Sequence, residues 1–517
     1  MRRNLLCVLG SVVLLSVGWL GLSGVPLLVA LIPLLYMSEQ YSDSKKDWWR
    51  MAGWSLLCIV LWNVATVWWI WNSTPIGPVA ATFFTTFWTI IPVMLYHYVS
   101  KRASRSVAYP VLISAWLACE HLYTHMEVVS FPWLSLGNGF SGDVWAVQWY
   151  EYTGVGGGTL WVLLANVAVF EYLRRRTKWS QLRAAIVVVV PMVVSIIIGW
   201  NYQSSGSEVQ VSVVQPNVDC YEEKFAGSEP EQMANILELL GQVPASSRVA
   251  VLPETAIPYQ VDDKAVAESP TIIALGEMFA QEHPETMLVG GVFSVRVYEE
   301  GEPRPEIVRQ QDSLYYNNFN SAVAINSDSE QMLHHKMRLV VGVEAMPQLP
   351  LLDNFVDLGG VTGQLGRNDK ATVFRKGEVV AGPAICYEGM YGEEYARFVT
   401  EGANLMLVLS NDGWWGDTPG HKRLFDFCRL RAIETRRSVA RSANTGVSGF
   451  ITPTGEVLQR LDWDERGVLT QKVELRQEQT FYVRYGDWIG RTAMILTVLC
   501  LLYYSAYRVR RKNHLVE

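Results

Sequence analysis

Between Met51 and Ser100 the chain reads MAGWSLLCIVLWNVATVWWIWNSTPIGPVAATFFTTFWTIIPVMLYHYVS, without one Asp, Glu, Lys or Arg. A run of that length cannot be surfaced in water; at about 20 residues per crossing it holds two membrane helices. It excludes a wholly soluble protein, a disordered chain and a coiled coil. Further apolar runs predict spans at about 4–22, 25–38, 51–71, 77–98, 107–123, 157–173 and 184–200, and an eighth at about 489–507. The second is short. The first has the basic start of a signal peptide, but no small-x-small cleavage site is obvious and more spans follow, so it reads as an anchor.

Charge divides the 517 residues into three parts. Residues 1–207 hold 13 Lys/Arg against 8 Asp/Glu, residues 208–507 hold 26 against 41, and the last ten hold 4 against 1. The expected organisation is a membrane domain of about seven helices over 1–200, a water-soluble acidic domain over 201–488, a C-terminal span over 489–507 and a basic tail over 508–517. A net charge of −7 with no basic domain excludes a nucleic-acid partner. Basic clusters at Arg2/Arg3, Lys45/Lys46/Arg50, Lys101/Arg102/Arg105, Arg174–Arg183 and Arg508–Lys512 occupy every second connection. The positive-inside rule then places both termini in the cytoplasm and the 201–488 domain on the far side. Trp48, Trp49, Trp68, Trp69 and Trp71 lie near span ends and read as interface anchors. The glycines from Gly154 to Gly158 precede an apolar span and follow no strand, so they predict close helix packing rather than a nucleotide loop.

The acidic domain reads as α/β. Strand-like runs at Val209–Val214, Val249–Leu252, Met287–Val292, Ala322–Ile325, Val379–Ile385 and Leu405–Leu409 alternate with helical stretches at Glu229–Leu240, Thr271–Gln281, Met390–Thr400 and Arg423–Arg437. Four strands run straight into polar residues: Gln215-Pro-Asn217, Pro253-Glu254-Thr255, Cys386-Tyr387-Glu388 and Ser410-Asn411-Asp412. Strand ends of α/β proteins are where ligands bind, so these four are expected to converge.

Seven cysteines are present; three of them, Cys220, Cys386 and Cys428, fall in the acidic domain. An odd number in an oxidising compartment leaves at least one free thiol. Cys386 ends an apolar strand, but a thiol nucleophile needs a base and a stabiliser for the oxyanion it creates. No His falls near these strand ends, and no CxxC or HExxH spacing exists, so zinc is unsupported. Glu254 is the available base and Lys336 the available cation. Read alone, Cys386 could be a buried hydrophobe, Glu254 a cap and Lys336 surface charge, and the reactive thiol could equally be Cys220 or Cys428.

The order of these residues resembles the nitrilase superfamily, whose members use a Glu–Lys–Cys triad. The matching stretches are Leu252-Pro-Glu254-Thr-Ala-Ile-Pro258, His335-Lys336-Met-Arg-Leu-Val340 and Ala384-Ile-Cys386-Tyr-Glu388. With its spans, the full length resembles the apolipoprotein N-acyltransferase family; Phe131-Pro-Trp-Leu134, Phe319-Asn-Ser321, Leu409–Gly416 and Arg441–Ser448 also fit. The resemblance implies a helical membrane domain joined to a nitrilase-like αββα sandwich, and no cofactor or metal. It implies Glu254 as general base, Cys386 as nucleophile and Lys336 as oxyanion stabiliser, with Glu344, Tyr387, Glu388 and Asn411 in support. Trp414, Trp415 and Phe225 are candidates for lining the substrate site.

The implied partners are a phospholipid acyl donor, a diacylglyceryl apolipoprotein acceptor and the lipid bilayer of the bacterial inner membrane. The catalytic domain is expected on the periplasmic side, in a chain acting as a monomer. The apolar stretch Met346–Leu358 reads as a membrane-facing lid. The chain departs from the family pattern at Val341-Gly-Val-Glu344 and Ala345-Met-Pro347, and in carrying Lys224-Phe225 where many members have a Trp. A membrane-anchored amidase with the same triad stays open as the alternative. A transporter is disfavoured, because only His97, Glu120, His121 and Glu171 come near spans.

Overall fold

A computed structural model describes the chain except residues 128, 222, 223, 225, 226, 306, 307, 346–363 and 514–517. It forms two units, one of Met1–Asn201 with Tyr485–Glu517 and the other of Tyr202–Arg484.

The first unit is helical. In order it contains α1 (Arg2–Ser16), a 3₁₀ turn (Val25–Val29), α2 (Ile32–Gln40), α3 (Lys45–Val67), α4 (Gly77–Ser100), α5 (Arg105–Thr124), α6 (Tyr150–Arg175), α7 (Lys178–Trp200) and a C-terminal helix (Trp488–Asn513). Among the described residues five stretches are long and apolar enough to cross a membrane: Lys45–Asn72, Gly77–Ser100, Tyr150–Arg175, Lys178–Trp200 and Trp488–Val509. The run expected over 4–22 is helical only to Ser16, and that over 25–38 is broken between the 3₁₀ turn and α2. A break frees backbone groups that lipid cannot satisfy. Asn166 on α6 takes them up: its Nδ2 donates to Leu27 O at 2.7 Å and its Oδ1 accepts from Leu31 N at 2.7 Å.

The ionisable groups near the spans are tied down in the same way. Glu120 accepts from Trp116 Nε1, Leu136 N and Thr159 Oγ1 at 2.7–3.0 Å, joining α5, the following loop and α6. His121 Nδ1 meets Asp487 Oδ2 at 2.6 Å, His97 Nδ1 meets Ser38 Oγ at 2.9 Å, and Glu171 pairs with Arg174 and Arg175. Trp69 turns inward rather than out: it is 1% exposed, and its ring lies 4.8 Å from that of Trp133. Trp49, Trp68 and Trp71 stay exposed. Helix packing around Gly158 is tight, for a Cβ there would sit 1.8 Å from Tyr150 Oη and 2.9 Å from Gly137 Cα. The C-terminal helix continues through the basic residues to Asn513, because Arg and Lys propagate a helix as well as most residues do.

The second unit is built on two sheets. The strands are β1 (Glu208–Gln215), β2 (Val249–Val251), β3 (Ile257–Asp262), β4 (Met287–Tyr298), β5 (Arg309–Gln311), β6 (Leu314–Ile325), β7 (Leu333–His335), β8 (Phe374–Lys376), β9 (Val379–Ile385), β10 (Leu405–Ser410), β11 (Val439–Ala443), β12 (Ser448–Ile451), β13 (Val457–Leu461) and β14 (Gly467–Glu474). One sheet has the order β14-β1-β2-β4-β6-β5, with β3 on β4 and β7 on β6; the other has β13-β12-β11-β10-β9-β8. β1, β2 and β4 run parallel, as do β9, β10 and β11.

Helices α8 (Glu229–Leu240) and α9 (Pro270–Glu282) cover the first sheet. Ile236, Leu239, Ile272, Leu275 and Phe279 bury their apolar faces on Val214, Leu252, Leu288, Val323 and Ile325. Burial of each large side chain contributes about 1.5–3 kcal/mol. Helices α10 (Gly392–Thr400) and α11 (Pro419–Thr435) cover the second sheet in the same way, with a short α12 (Phe481–Tyr485) following β14. Here Phe398, Phe425 and Ala432 pack on Ala384, Met406 and Val439. The inner faces of the sheets meet through small polar side chains, with Ser442 Oγ donating to Val214 O and Ser448 Oγ to Gln215 Oε1. This is the expected four-layer αββα sandwich.

Candidate active site

β2 ends in Leu252-Pro253-Glu254 and the chain turns sharply, with Thr255 held at φ 50°. The turn lies directly on β4: Gly291 N donates to Pro253 O at 3.0 Å. A Cβ at Gly291 would lie 2.6 Å from Glu254 Cα and 2.2 Å from Thr255 N, so only glycine admits this approach. Glu254 is thereby aimed, 6% exposed, at three donors. Its Oε1 accepts from Lys336 Nζ at 2.9 Å and Asn320 Nδ2 at 2.7 Å, and its Oε2 accepts from Asn411 N at 2.9 Å. Burial pushes the carboxyl up, but the Lys336 ammonium and its hydrogen bond, with Asn320 and Lys224, together hold it below the ordinary range.

Lys336 follows β7 and is 1% exposed. Its backbone N–H donates to Asn320 O on β6. Its ammonium sits between Glu254 and Glu344, 3.0 Å from the latter's Oε1. Burial opposes the charge, but Glu254, Glu344 and Cys386 raise the lysine well above its usual value. Asn320 Nδ2 bridges the same two carboxylates, 2.7 Å from each. Glu344 Oε2 accepts from Val340 N at 2.8 Å, closing its own loop.

Cys386 follows β9 with φ 46°, a left-handed conformation that is costly for a residue with a side chain and is found at functional turns. Glu388 fixes the turn. Its Oε2 accepts from Ile385 N at 2.5 Å and its Oε1 from Met337 N at 2.6 Å. One fully buried carboxylate thus ties the backbone beside Cys386 to the backbone beside Lys336. Burial pushes the Cys386 thiol well up, and the Glu254 charge adds to this; Lys336 and a hydrogen bond with Ser410 act against it. Arg441 Nη2 donates to Ser410 Oγ at 3.0 Å and to Asp412 Oδ2 at 3.0 Å. Arginine only donates, so the Ser410 oxygen accepts there and its proton is free to point at sulfur. Ser410→Ala removes this donor, so the thiol pKa rises further. At a fixed pH below that pKa, alkylation of Cys386 by iodoacetamide is expected to slow about tenfold; an unchanged pH profile would show that the hydroxyl does not serve the sulfur.

The other two thiols sit differently. Cys428 is on α11 within the second core, and its Sγ faces Leu424 O of its own helix. Cys220 lies beside the site: its Sγ is 3.1 Å from Asn411 Oδ1 and 3.7 Å from Asn444 Nδ2, and burial pushes its thiol to about 11. A carbonyl acceptor at 3.1 Å holds the thiol rather than the thiolate. Lys224 brings a second ammonium, its Nζ donating to Glu254 O at 3.1 Å, with its pKa lowered by burial.

The structure therefore brings Glu254, Lys336, Glu344 and Asn411 into one hydrogen-bonded group, with Cys386 on the turn that Glu388 braces. Tyr387 is buried, its ring 5.4 Å from that of Tyr391. Trp414 packs edge-on against Tyr221 at 5.0 Å and is half-buried with Trp415 in the turn after β10. Phe225 and the stretch Met346–Leu358 lie outside the described residues. Ser410 was read only as part of a polar strand end expected at the site, and Asn320 and Arg441 only within stretches that fit the family; register across the strands reveals what each holds. His335 is not a partner of the thiol: it is bonded to Asp263 and Ser321.

Two family profiles match the chain, one described as carbon-nitrogen hydrolase over residues 210–481 and one as the apolipoprotein N-acyltransferase N-terminal domain over residues 10–168. A Chlorobaculum tepidum protein named apolipoprotein N-acyltransferase is 28% identical over 496 residues, covering 92% of this chain and 91% of that one. An Azotobacter vinelandii protein of the same name is 28% identical over 517 residues, covering 93% and 92%. Saccharomyces cerevisiae Nit3, a nitrilase-superfamily member of known structure, matches 52% of this chain and 91% of its own at 17% identity, with a TM-score of 0.37.

Proposed function

The chain belongs to the carbon-nitrogen hydrolase family, and from that premise we propose that it is an acyltransferase of apolipoproteins. It moves an acyl chain from a membrane phospholipid to the α-amine of a diacylglyceryl-cysteine at a lipoprotein N-terminus. The observation that carries this reading is the match of both units, helical and α/β, to relatives of that name over more than nine-tenths of the chain.

Glu254, Lys336 and Cys386 act as base, oxyanion stabiliser and nucleophile. The thiol is raised by burial and the Glu254 carboxyl is depressed, so a free thiolate is scarce at neutral pH. Proton transfer to Glu254 therefore accompanies C–S bond formation on the donor ester instead of preceding it. The tetrahedral oxyanion is neutralised by Lys336, which a pair of carboxylates keeps charged and fixed. Collapse breaks the ester C–O bond; Glu254 returns the proton to the leaving lysophospholipid oxygen, and a thioester remains on Cys386. The acceptor amine then attacks, loses a proton to Glu254 and forms the amide, while sulfur leaves as thiolate and recovers that proton. All the groups named come from one chain, which supports action as a monomer.

The donor lives in the bilayer, which accounts for an α/β unit preceded and followed along the chain by apolar helices. The alternation of basic clusters supports both termini on the cytoplasmic face of a bacterial inner membrane and the α/β unit on the periplasmic face. The test is intact mass of the full chain mixed with phospholipid vesicles. One acyl mass should appear and then vanish on addition of a diacylglyceryl-cysteine peptide. No adduct, with hydrolysis of small amides instead, would establish an anchored amidase and reject the transferase.

A further inference from the structure

The membrane unit contains a polar recess that the acyl transfer does not use. It has a volume of about 310 Å³ and is lined by Ser42, Asp43, Lys45, Trp48, His97, Tyr98, Lys101 and Arg102. These come from the connection into α3, the first turn of α3, the last turn of α4 and the residues just beyond it. The walls are fixed. His97 hydrogen-bonds Ser38, and Lys101 Nζ donates to Ser38 O at 2.7 Å. Arg102 pairs with Asp43 and lies 3.8 Å over the Tyr98 ring. Arg508 of the C-terminal helix donates to Tyr98 Oη at 3.0 Å. Ser42 is held by Asp47, which pulls the connection onto the start of α3.

The cations in this recess are not balanced. Lys45, Lys101 and Arg102 line it with one acid, Asp43, to which Arg102 is paired; the nearby Glu39 and Asp47 also act on Lys101, but they are paired with Arg105 and Arg50. Among the described residues the exposed Lys45 ammonium has no acceptor, and Lys101 spends one donor of three. Two ammonium groups with donors left over, in a recess at the ends of apolar helices, suit a phosphate diester. Trp48 stands at the rim, and Trp49 and Leu56 of α3 expose apolar surface along the same helix, where acyl chains attached to that phosphate would lie.

We propose that this recess binds the headgroup of an anionic phospholipid, as a site separate from the Cys386 centre. It lies at the basic end of the helices and holds one lipid with its phosphate between Lys45 and Lys101. The shared chemistry with a free phosphate ion is settled by the tether: the lipid is held by its chains as well as its charge.

The test is native mass spectrometry of the full chain, equilibrated in detergent with equal amounts of phosphatidylglycerol and phosphatidylethanolamine. Covalent acylation is read separately, as a mass that survives denaturation. The wild type should retain one phosphatidylglycerol in preference. Lys45→Glu replaces attraction by repulsion at an exposed position and should lower that occupancy on the order of tenfold. Lys46→Glu, the same change on the neighbouring residue outside the recess, should leave it. Equal loss in both variants would reduce the effect to diffuse surface charge and overturn the site. So would an absence of preference between the lipids, and displacement by inorganic phosphate would reassign the recess to a soluble anion.

Discussion

Cys386→Ala should yield no acyl adduct and no detectable transfer, a loss on the order of 10⁴-fold or more, whereas Cys428→Ser leaves both near wild type and Cys220→Ser lowers them without abolishing the adduct. The three thiols separate by what faces them. Cys428 faces its own helix carbonyl inside an apolar core, so its loss touches packing alone. Cys220 meets the Asn411 carbonyl, and Asn411 in turn holds Glu254 through its backbone N–H; a serine there disturbs the base without removing the nucleophile. Cys386 alone of the three feels Glu254, Lys336 and the Ser410 hydroxyl together. Its φ of 46° also places strain on the turn, which alanine tolerates no better than cysteine. The fold therefore gains nothing that could mask the chemical loss. An adduct persisting in Cys386→Ala and vanishing in Cys220→Ser would move the nucleophile to Cys220.

Lys336→Met should abolish activity and also destabilise the α/β unit by about 3–5 kcal/mol, the usual cost of leaving buried charge without its partner. Glu254 and Glu344 each accept from the same Asn320 amide and the same ammonium. Without the ammonium the two carboxylates share the Asn320 amide and keep one backbone donor each, Asn411 N and Val340 N, in a buried site with no cation between them, and the Glu254 carboxyl is expected to be raised, not depressed. The pH dependence reverses accordingly. In the wild type Glu254 titrates below its unfolded value, so its contribution is present above the ordinary carboxylate range and is lost as pH falls through the depressed value. In the variant the contribution is present below the ordinary range and lost as pH rises through the raised value. Thermal unfolding of the full chain at pH 5 and pH 8 reads this directly: the deficit of the variant against wild type should be smaller at pH 5. A deficit independent of pH would mean that the carboxylates are not the source of the instability.

Much of this architecture was legible from residue patterns. The strand Val379–Ile385 and the helix Glu229–Leu240 have the bounds expected of them, because an apolar run ending in polar residues and an amphipathic stretch with a proline in its first turn are local signals. Of the long strands, half of β4 and a third of β6 were expected. Their outer halves carry Arg296, Tyr298, Tyr315, Asn317 and Asn318, which make no apolar run; antiparallel pairing of Tyr298 with Tyr315 through Leu288 with Ile325 holds them. The helix expected from Met390 begins at Gly392, since Cys386 to Met390 is a 3₁₀ turn braced by Glu388. The start of α11 moves back to Pro419, where Thr418 Oγ1 accepts from Gly420 N. The supporting groups of the site were the least legible. Asn320 is one asparagine in a strand, and it matters only because the register of β6 against β7 sets it beside Lys336. Ser410 and Arg441 gain their meaning from β10 and β11 running side by side.

The groups proposed for catalysis are divided between the sheets: Glu254 and Lys336 follow strands of one, while Cys386 follows a strand of the other and Ser410 ends its neighbour. Among the described residues no hairpin or helical hairpin contains Glu254, Lys336 and Cys386 together. A polypeptide emerging segment by segment therefore carries no working centre until both layers have closed on each other. Reactivity is withheld from every immature form by topology alone, and a thioester cannot be loaded onto a chain still finding its fold.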